Sequence, residues 1–284
     1  MNFSDFKKIV QDDIVADETE LRQFLNDKLA KIPVPTVQVN SNTYIERAVS
    51  IDKSQQPFNL SRLSYIPDHL KHVAPKGRFN KAGEPCFYGT FTDLINPSAT
   101  RYYLAAEIDQ SILGQQTKIF NYTVAKWLST KGFLSILFIF ISDYAQNDLI
   151  KKAHDNYINS QEYVQLSTEQ KEFLTLLTFE LAKLKSANGY TITNIVFDYY
   201  KTKGFQSIIY PGVPGKYRGN NIAMTPKIFD ESFMFFMGAE FCLTQDGDDI
   251  DISVKYKIEK GSDNEINYST FDDKEIGESS SIKK

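Results

Sequence analysis

The stretch Gly77-Arg78-Phe79-Asn80-Lys81-Ala82-Gly83-Glu84-Pro85-Cys86-Phe87-Tyr88-Gly89-Thr90 changes character half-way along. Gly77, Gly83 and Pro85 punctuate its first part and break regular structure there. Gly77 and Asn80 supply backbone angles that most residues avoid, so they shape a loop that presents Arg78. From Cys86 to Thr90 the residue types favour a short strand. What lies on either side of this loop-to-strand transition sets the fold class.

Upstream, residues 52–85 read as loop, with Pro57, Pro67 and Pro75 as further breaks, and Val37 to Ser50 has a strand-like pattern. Pro33-Val34-Pro35 closes a largely helical segment over residues 3–32. There Asp17-Glu18-Thr19-Glu20 place acids at a helix start, and Leu21, Phe24, Leu25 and Leu29 form an apolar stripe. Downstream, Asn96-Pro97-Ser98 opens a helix that runs through Glu107. Phe133 to Ile141, FLSILFIFI, is too short to span a bilayer and rich in β-formers, so it is expected as a buried strand. Helices are expected over about 143–159, 167–185 and 191–203, the last with Thr191 as N-cap and Gly204 as its stop. Strands are expected over Ser207–Tyr210, Ile222–Met224, Ser232–Leu243 and Ile250–Ile258, with a turn-rich PGVPGKYRGNN segment at 211–221. From Gly261 the chain turns polar and acidic, the composition of a flexible tail. The irregular alternation of strands and helices is α+β rather than repeated β-α-β. The expected organisation is an N-terminal helical extension (1–36), a main domain (37–260) and a tail (261–284).

Bulk composition narrows the classes of function. The net charge of −4 leaves no protein-wide basic field, so nucleic acid is not an expected partner. Two cysteines, Cys86 and Cys242, cannot build a disulfide framework, and the first residues show no apolar leader, so a cytoplasmic location is expected and a membrane is not. His69, His72 and His154 form no metal pattern, the Asp246–Asp251 run lacks the glycine and distal glutamate of an EF-hand, and no Walker loop or Gly-x-Gly-x-x-Gly is present. No metal and no resident cofactor are expected.

Three pieces carry a resemblance: Tyr44-Ile45-Glu46-Arg47, then Ser61-Arg62-Leu63-Ser64-Tyr65-Ile66-Pro67, then Gly77–Thr90, with Ala105-Ala106-Glu107 downstream. Together they resemble the RES-domain family, which shows an early arginine, a GRFN-x-x-G-x-P-x-x-Y-like segment and a later A-x-E. The resemblance spans about residues 40–258, densely at 44–107. It implies a mixed sheet with flanking helices like that of ADP-ribosyltransferases, and degradation of NAD⁺ by hydrolysis or phosphorolysis. It also implies a role as toxin or defence effector restrained by an antitoxin-like partner. NAD⁺ is here a substrate, not a cofactor.

The residue types suit that chemistry. Guanidinium groups bind pyrophosphate oxygens through paired, charge-assisted hydrogen bonds, and Arg47 and Arg78 are the candidates. Loss of nicotinamide builds positive charge on the ribose, which the Glu107 carboxylate would stabilise. Tyr88 would stack on the nicotinamide ring, and Asn80 is either a further ligand contact or a shaper of the Arg78 loop. Arg62 reads as structural. The end of the family pattern departs here. Ile209-Tyr210-Pro211-Gly212 places Gly212 where the family has serine, and Asn221-Ile222-Ala223-Met224 has Met224 for leucine. Lys216 and Arg218 lie in the intervening loop, which reads as a connection. Two rivals stay open: transfer of ADP-ribose to a macromolecule, and a non-catalytic interaction module that keeps the fold.

Overall fold

The computed structural model describes residues 1–51, 59–114, 117–183, 186–212, 219–262 and 265–270, and the backbone of 280–283. In chain order the main elements are α1 (Phe3–Gln11), α2 (Glu18–Leu29), β1 (Thr36–Val39), β2 (Tyr44–Ser50), β3 (Phe87–Phe91), α3 (Pro97–Ile108), β4 (Lys118–Ser129) and β5 (Phe133–Leu137). There follow α4 (Asp148–Ile158), α5 (Gln161–Val164), α6 (Thr168–Ala182), α7 (Thr191–Thr202), β6 (Ser207–Pro211), β7 (Asn220–Met224) and α8 (Pro226–Ser232). The chain continues through β8 (Phe233–Asp246), β9 (Asp249–Lys260), β10 (Ile266–Ser269) and β11 (Ser280–Lys283). The class is α+β, with one mixed sheet in the order β1-β5-β6-β7-β3-β2-β4-β8-β9-β10, and β11 also on β9. Among the described residues only β5 and β6 pair in parallel.

Local chemistry explains most boundaries. Asn2 caps α1 through a reciprocal bond with Asp5, and Asp17 accepts from Glu20 N to start α2. Between them Asp13 takes φ +52°, so the expected helical run over 3–32 is two helices with a sharp linker. Asn42 at φ +67° likewise divides the extended stretch 37–50 into β1 and β2. Asn96 caps α3 with Pro97 in its first turn, as its sequence implies. Gly204 at φ +89° follows the end of α7, but the residue at that helix's N-cap is Tyr190, with Thr191 already inside. Regular pairing of β5 stops at Leu137, short of the expected Ile141, because β6 pairs only with Ile136 and Leu137. Gly247 at φ +60° turns β8 into β9, so the acidic run around Asp246–Asp251 is a hairpin turn with its flanking strand ends.

One expectation is corrected. The region after Gly261 is not all tail: Ile266–Ser269 and Ser280–Lys283 both pair antiparallel with β9. The N-terminal helices pack on the main domain. Phe6, Leu21, Phe24 and Leu25 share one buried cluster with Phe138 beyond β5, Phe173 of α6 and Phe197 of α7. Burying a side chain of this size contributes about 1.5–3 kcal/mol, so the helices belong to the core. A second cluster packs Phe87, Trp127 and Phe229, and a third sets α3 against β4, β8 and β9. Among the described residues no helix is long and apolar enough to cross a membrane.

Candidate active site

The sheet parts where β2 leaves β3. Their ladder joins only Ile45 to Phe91 and Glu46 to Thr90, whereas β2 follows β4 all the way to Ser50. One residue past the last β2–β3 pair, the Arg47 Nη1 donates to the Tyr88 carbonyl oxygen at 3.1 Å, supplying a bond the ladder no longer makes. The guanidinium lies 5.7 Å above the Phe87 ring. Its Nε is shut off from solvent and meets no acceptor among the described residues. Burial lowers the pKa of this arginine from its ordinary value, which means the charge is held where water solvates it poorly. A half-buried cation whose inward N–H is unanswered favours an anion beside it.

That anion has a place to go. A cavity of about 340 Å³ is lined by Arg47, Arg78, Tyr88 and Glu107, together with Thr90, Tyr190, Tyr210 and Asn221. Its floor comes from β6, β7, β3 and β2, which are consecutive in the sheet. α3 brings Glu107 in from one side, and the loop around Arg78 with Tyr190 forms the other wall. Arg47, Arg78 and Glu107 thus converge although some sixty residues of chain separate the first from the last.

Glu107 is anchored at the end of a relay. Thr90 Oγ1 donates to Asn221 Oδ1 at 2.7 Å, and Asn221 Nδ2 donates to Glu107 Oε1 at 2.8 Å. Thr90 and Asn221 are buried cross-strand partners on β3 and β7, so the amide is oriented before any ligand arrives. Tyr210, opposite Asn221 on β6, is kept protonated by burial first and then by the nearby Glu107 charge. The carboxylate is therefore aimed, exposed on its outer side, and backed by neutral groups.

Arg78 is differently placed. Its Nη1 donates to the carbonyls of Leu181, at 2.5 Å, and Lys183, at 2.8 Å. These belong to the C-terminal turn of α6, where orphan carbonyls and the helix dipole favour a cation. The guanidinium also faces the rings of Tyr190 and Tyr210 at 5.5 and 5.8 Å. One edge of Arg78 is committed to the protein, so it presents less of its fork to a ligand than the sequence reading assumed.

Asn80 departs further from a ligand-binding role. Its Nδ2 donates to the carbonyls of Pro75 and Lys81, and its Oδ1 accepts from the Tyr88 hydroxyl at 2.7 Å. The same hydroxyl accepts from Phe79 N at 2.8 Å. Asn80 is buried behind the cavity wall, where it shapes the Arg78 loop, the alternative left open for it. Gly77 is tightly enclosed there: a Cβ would stand 2.3 Å from Asn80 Oδ1 and 2.8 Å from the Tyr88 hydroxyl, so their bond would have to shift. Tyr88 thus offers its ring to the cavity while its hydroxyl, raised in pKa mainly by burial, stays in the loop.

Several residues escaped the sequence reading. Tyr190 lies in a segment with no motif, and Thr193 and Asn194 of α7 bond to the carbonyls of Arg78 and Gly77. The signal for them is spatial only. Cys86, next to this site, has its thiol pushed up to about 12 by burial and donates to the Met224 carbonyl, which favours the protonated thiol over the thiolate. Gly212 bonds the Gly219 carbonyl through its N–H at 2.7 Å, and a Cβ there would stand 2.9 Å from that oxygen. Position 212, where the resemblance expects serine, therefore has no room for a side chain without a backbone shift. Arg62 is exposed on a short 3-10 turn away from the cavity, and Lys216 and Arg218 lie outside the described residues. No cluster of potential metal ligands occurs among the described residues. No protein-family model matches the chain, and no curated protein is similar enough to count as a relative.

Proposed function

We propose that this protein cleaves the nicotinamide–ribose bond of NAD⁺ in the cavity between β2, β3 and α3, on an ADP-ribosyltransferase-like scaffold. The observation that carries the reading is the meeting of a half-buried, incompletely bonded Arg47 with an aimed Glu107 across one small cavity. An anion at Arg47 and a cationic sugar at Glu107 are the two ends of a ribosyl phosphate. A volume of about 340 Å³ lies at the lower end of the roughly 300–1,000 Å³ of small-molecule sites, so a dinucleotide would extend beyond it. A second cavity of about 310 Å³ begins on the other side of Thr90, lined by Tyr103, Gly219 and Asn220 among others. The adenosine end would run there.

In the reaction the C1′–N bond breaks, and its electron pair returns to the pyridinium nitrogen, giving neutral nicotinamide. The ribosyl cation left behind is stabilised by the Glu107 carboxylate, held by Asn221. Water adds to C1′ and loses a proton to give ADP-ribose, or inorganic phosphate adds to give the 1″-phosphate. Arg47 neutralises the pyrophosphate and Tyr190 or Tyr88 offers an aromatic face to the departing ring. Such depletion of NAD⁺ fits a toxin or defence effector held in check by an antitoxin-like protein.

The test is purified protein with NAD⁺, with and without inorganic phosphate, followed by chromatography of nicotinamide and of the ribosyl product. Nicotinamide with ADP-ribose or its 1″-phosphate is expected; absence of both products under either condition sinks the proposal. A second reading, NAD⁺ bound without turnover, is favoured by Gly212, whose surroundings leave no space for the serine that the resemblance expects without a backbone shift. Binding by calorimetry without nicotinamide release would select it. Labelled ADP-ribose on protein or nucleic acid would select transfer instead.

A further inference from the structure

We infer that the linker between the two N-terminal helices is a latch on the cavity wall, and that Asp13 and Asn188 are positioning residues acting through Arg78 and Tyr190. Five observations meet at the described residues between α6 and α7, Lys183 and 186–190. The first of these residues, Lys183, gives its carbonyl to Arg78 and its ammonium to the Val10 carbonyl of α1 at 2.6 Å. Lys183 also pairs with the buried Glu180 at 2.8 Å. Further along, Ala187 N donates to Asp13 Oδ1 at 2.9 Å. Asn188 then closes a two-way clasp: its Nδ2 donates to the Ile14 carbonyl and its Oδ1 accepts from Ala16 N, both at 2.8 Å. Gly189, at φ +57°, turns the chain directly into Tyr190, whose ring lies against Arg78.

The linker is itself shaped for this task. Asp13 holds a left-handed backbone, φ +52°, which costs a non-glycine residue about 1 kcal/mol or more unless its surroundings require it. Its carboxylate faces Ala187 N–H, Lys183 and Ser186, with the first of these contributing most to a lowered pKa. The wall of the cavity on this side carries no sheet ladder. Arg78 is held by two carbonyls of a helix end, and that helix end is held by residues 10–16. Removing the clasp loosens residues 186–188 and the Asp13–Lys183 pair, and with that pair the Lys183 carbonyl that helps to orient the guanidinium. The N-terminal helices therefore do more than fill the core: they set how Arg78 and Tyr190 face the cavity. The consequence for NAD⁺ rests on the function proposed above; the consequence for Arg78 does not.

The experiment uses the full chain, isotope-labelled, with the Arg78 side-chain signals assigned by their disappearance in Arg78→Lys. In Asp13→Ala with Asn188→Ala, the Arg78 guanidinium protons are expected to exchange with water about tenfold faster, the signature of a local opening. Asp13→Asn, whose amide oxygen still accepts from Ala187 but carries no charge toward Lys183, is expected to fall between wild type and the double variant. If the double variant does not fold, Asp13→Ala alone, at an exposed position, carries the test with the same sign. Unchanged Arg78 exchange in a variant whose 186–188 amides have loosened overturns the latch. On NAD⁺, the same variants are expected to raise KM about tenfold with kcat little altered, the split of a lost binding contact. A wild type that never consumes NAD⁺ overturns the proposed function, while the Arg78 signal still decides the latch.

Discussion

The two arginines of the site stand on opposite kinds of architecture. Arg47 rises from a floor of four neighbouring strands, where each residue beside it is fixed by ladder bonds and by the buried Phe87–Trp127–Phe229 cluster. Arg78 leans on a wall made of loop, helix ends and side-chain-to-backbone bonds at partly exposed positions. The floor resembles a packed interior in its energetics, and the wall resembles a set of separable clasps. The floor opens only with the sheet, whereas the wall can open clasp by clasp.

Substitutions in the two regions should differ in size and in reach. Phe87→Ala removes a ring stacked on Phe229 at 4.2 Å and lying under Arg47. A loss of about 3–5 kcal/mol of global stability is expected, read by chemical denaturation. Gly77→Ala acts at the junction of floor and wall, forcing apart the Asn80–Tyr88 bond; about 1–3 kcal/mol is expected by the same measurement. A Gly77→Ala protein as stable as wild type would show that the loop yields and that the close approach at Gly77 is unimportant. Arg78→Lys keeps the charge but cannot span two carbonyls with a planar fork. It should cost about 1 kcal/mol globally while raising amide exchange in the α6–α7 connection, and a loss as large as that of Phe87→Ala would erase the contrast.

Acid should separate the two regions most gently. The Asp13 carboxylate is held below its ordinary value of 3.8, chiefly by the Ala187 N–H. A depressed folded pKa means that the contribution is complete above the unfolded value and is lost as pH falls through the folded one. Exchange at residues 186–188, corrected for its intrinsic pH dependence, should therefore accelerate below about pH 3.8 before the β2–β4 ladder responds. Simultaneous loosening of both would mean that floor and wall form a single cooperative unit.

The same contrast explains what could be read from the chain alone. Asn96-Pro97 announces α3 and so the place of Glu107, and the GRFN-to-FYGT run announces the Arg78 loop and β3, because caps, glycines and β-formers act locally. β4 left no such mark. Its burial alternates poorly along Lys118–Ser129, since β2 and β8 flank it and much of its length is covered, so the period of two is lost. The short α8 between β7 and β8 is similarly silent apart from Pro226. Arg47, Arg78 and Glu107 were legible as residue types, and their meeting in one cavity is a property of the fold. Tyr190 meets Arg78 from more than a hundred residues away, and the Asp13–Asn188 clasp joins positions about 170 residues apart; no local pattern encodes such pairings.

The central claim is that Glu107, aimed by Asn221, stabilises a ribosyl cation beside the anion held by Arg47. It is tested most directly by nicotinamide release from NAD⁺ by wild type and by Glu107→Gln at equal concentration. The side chains are close in shape, so the variant should melt like wild type. Its rate is expected to fall by about 100-fold or more, as for loss of one preorganised charge at a reacting centre. Equal release by the two proteins would contradict the account.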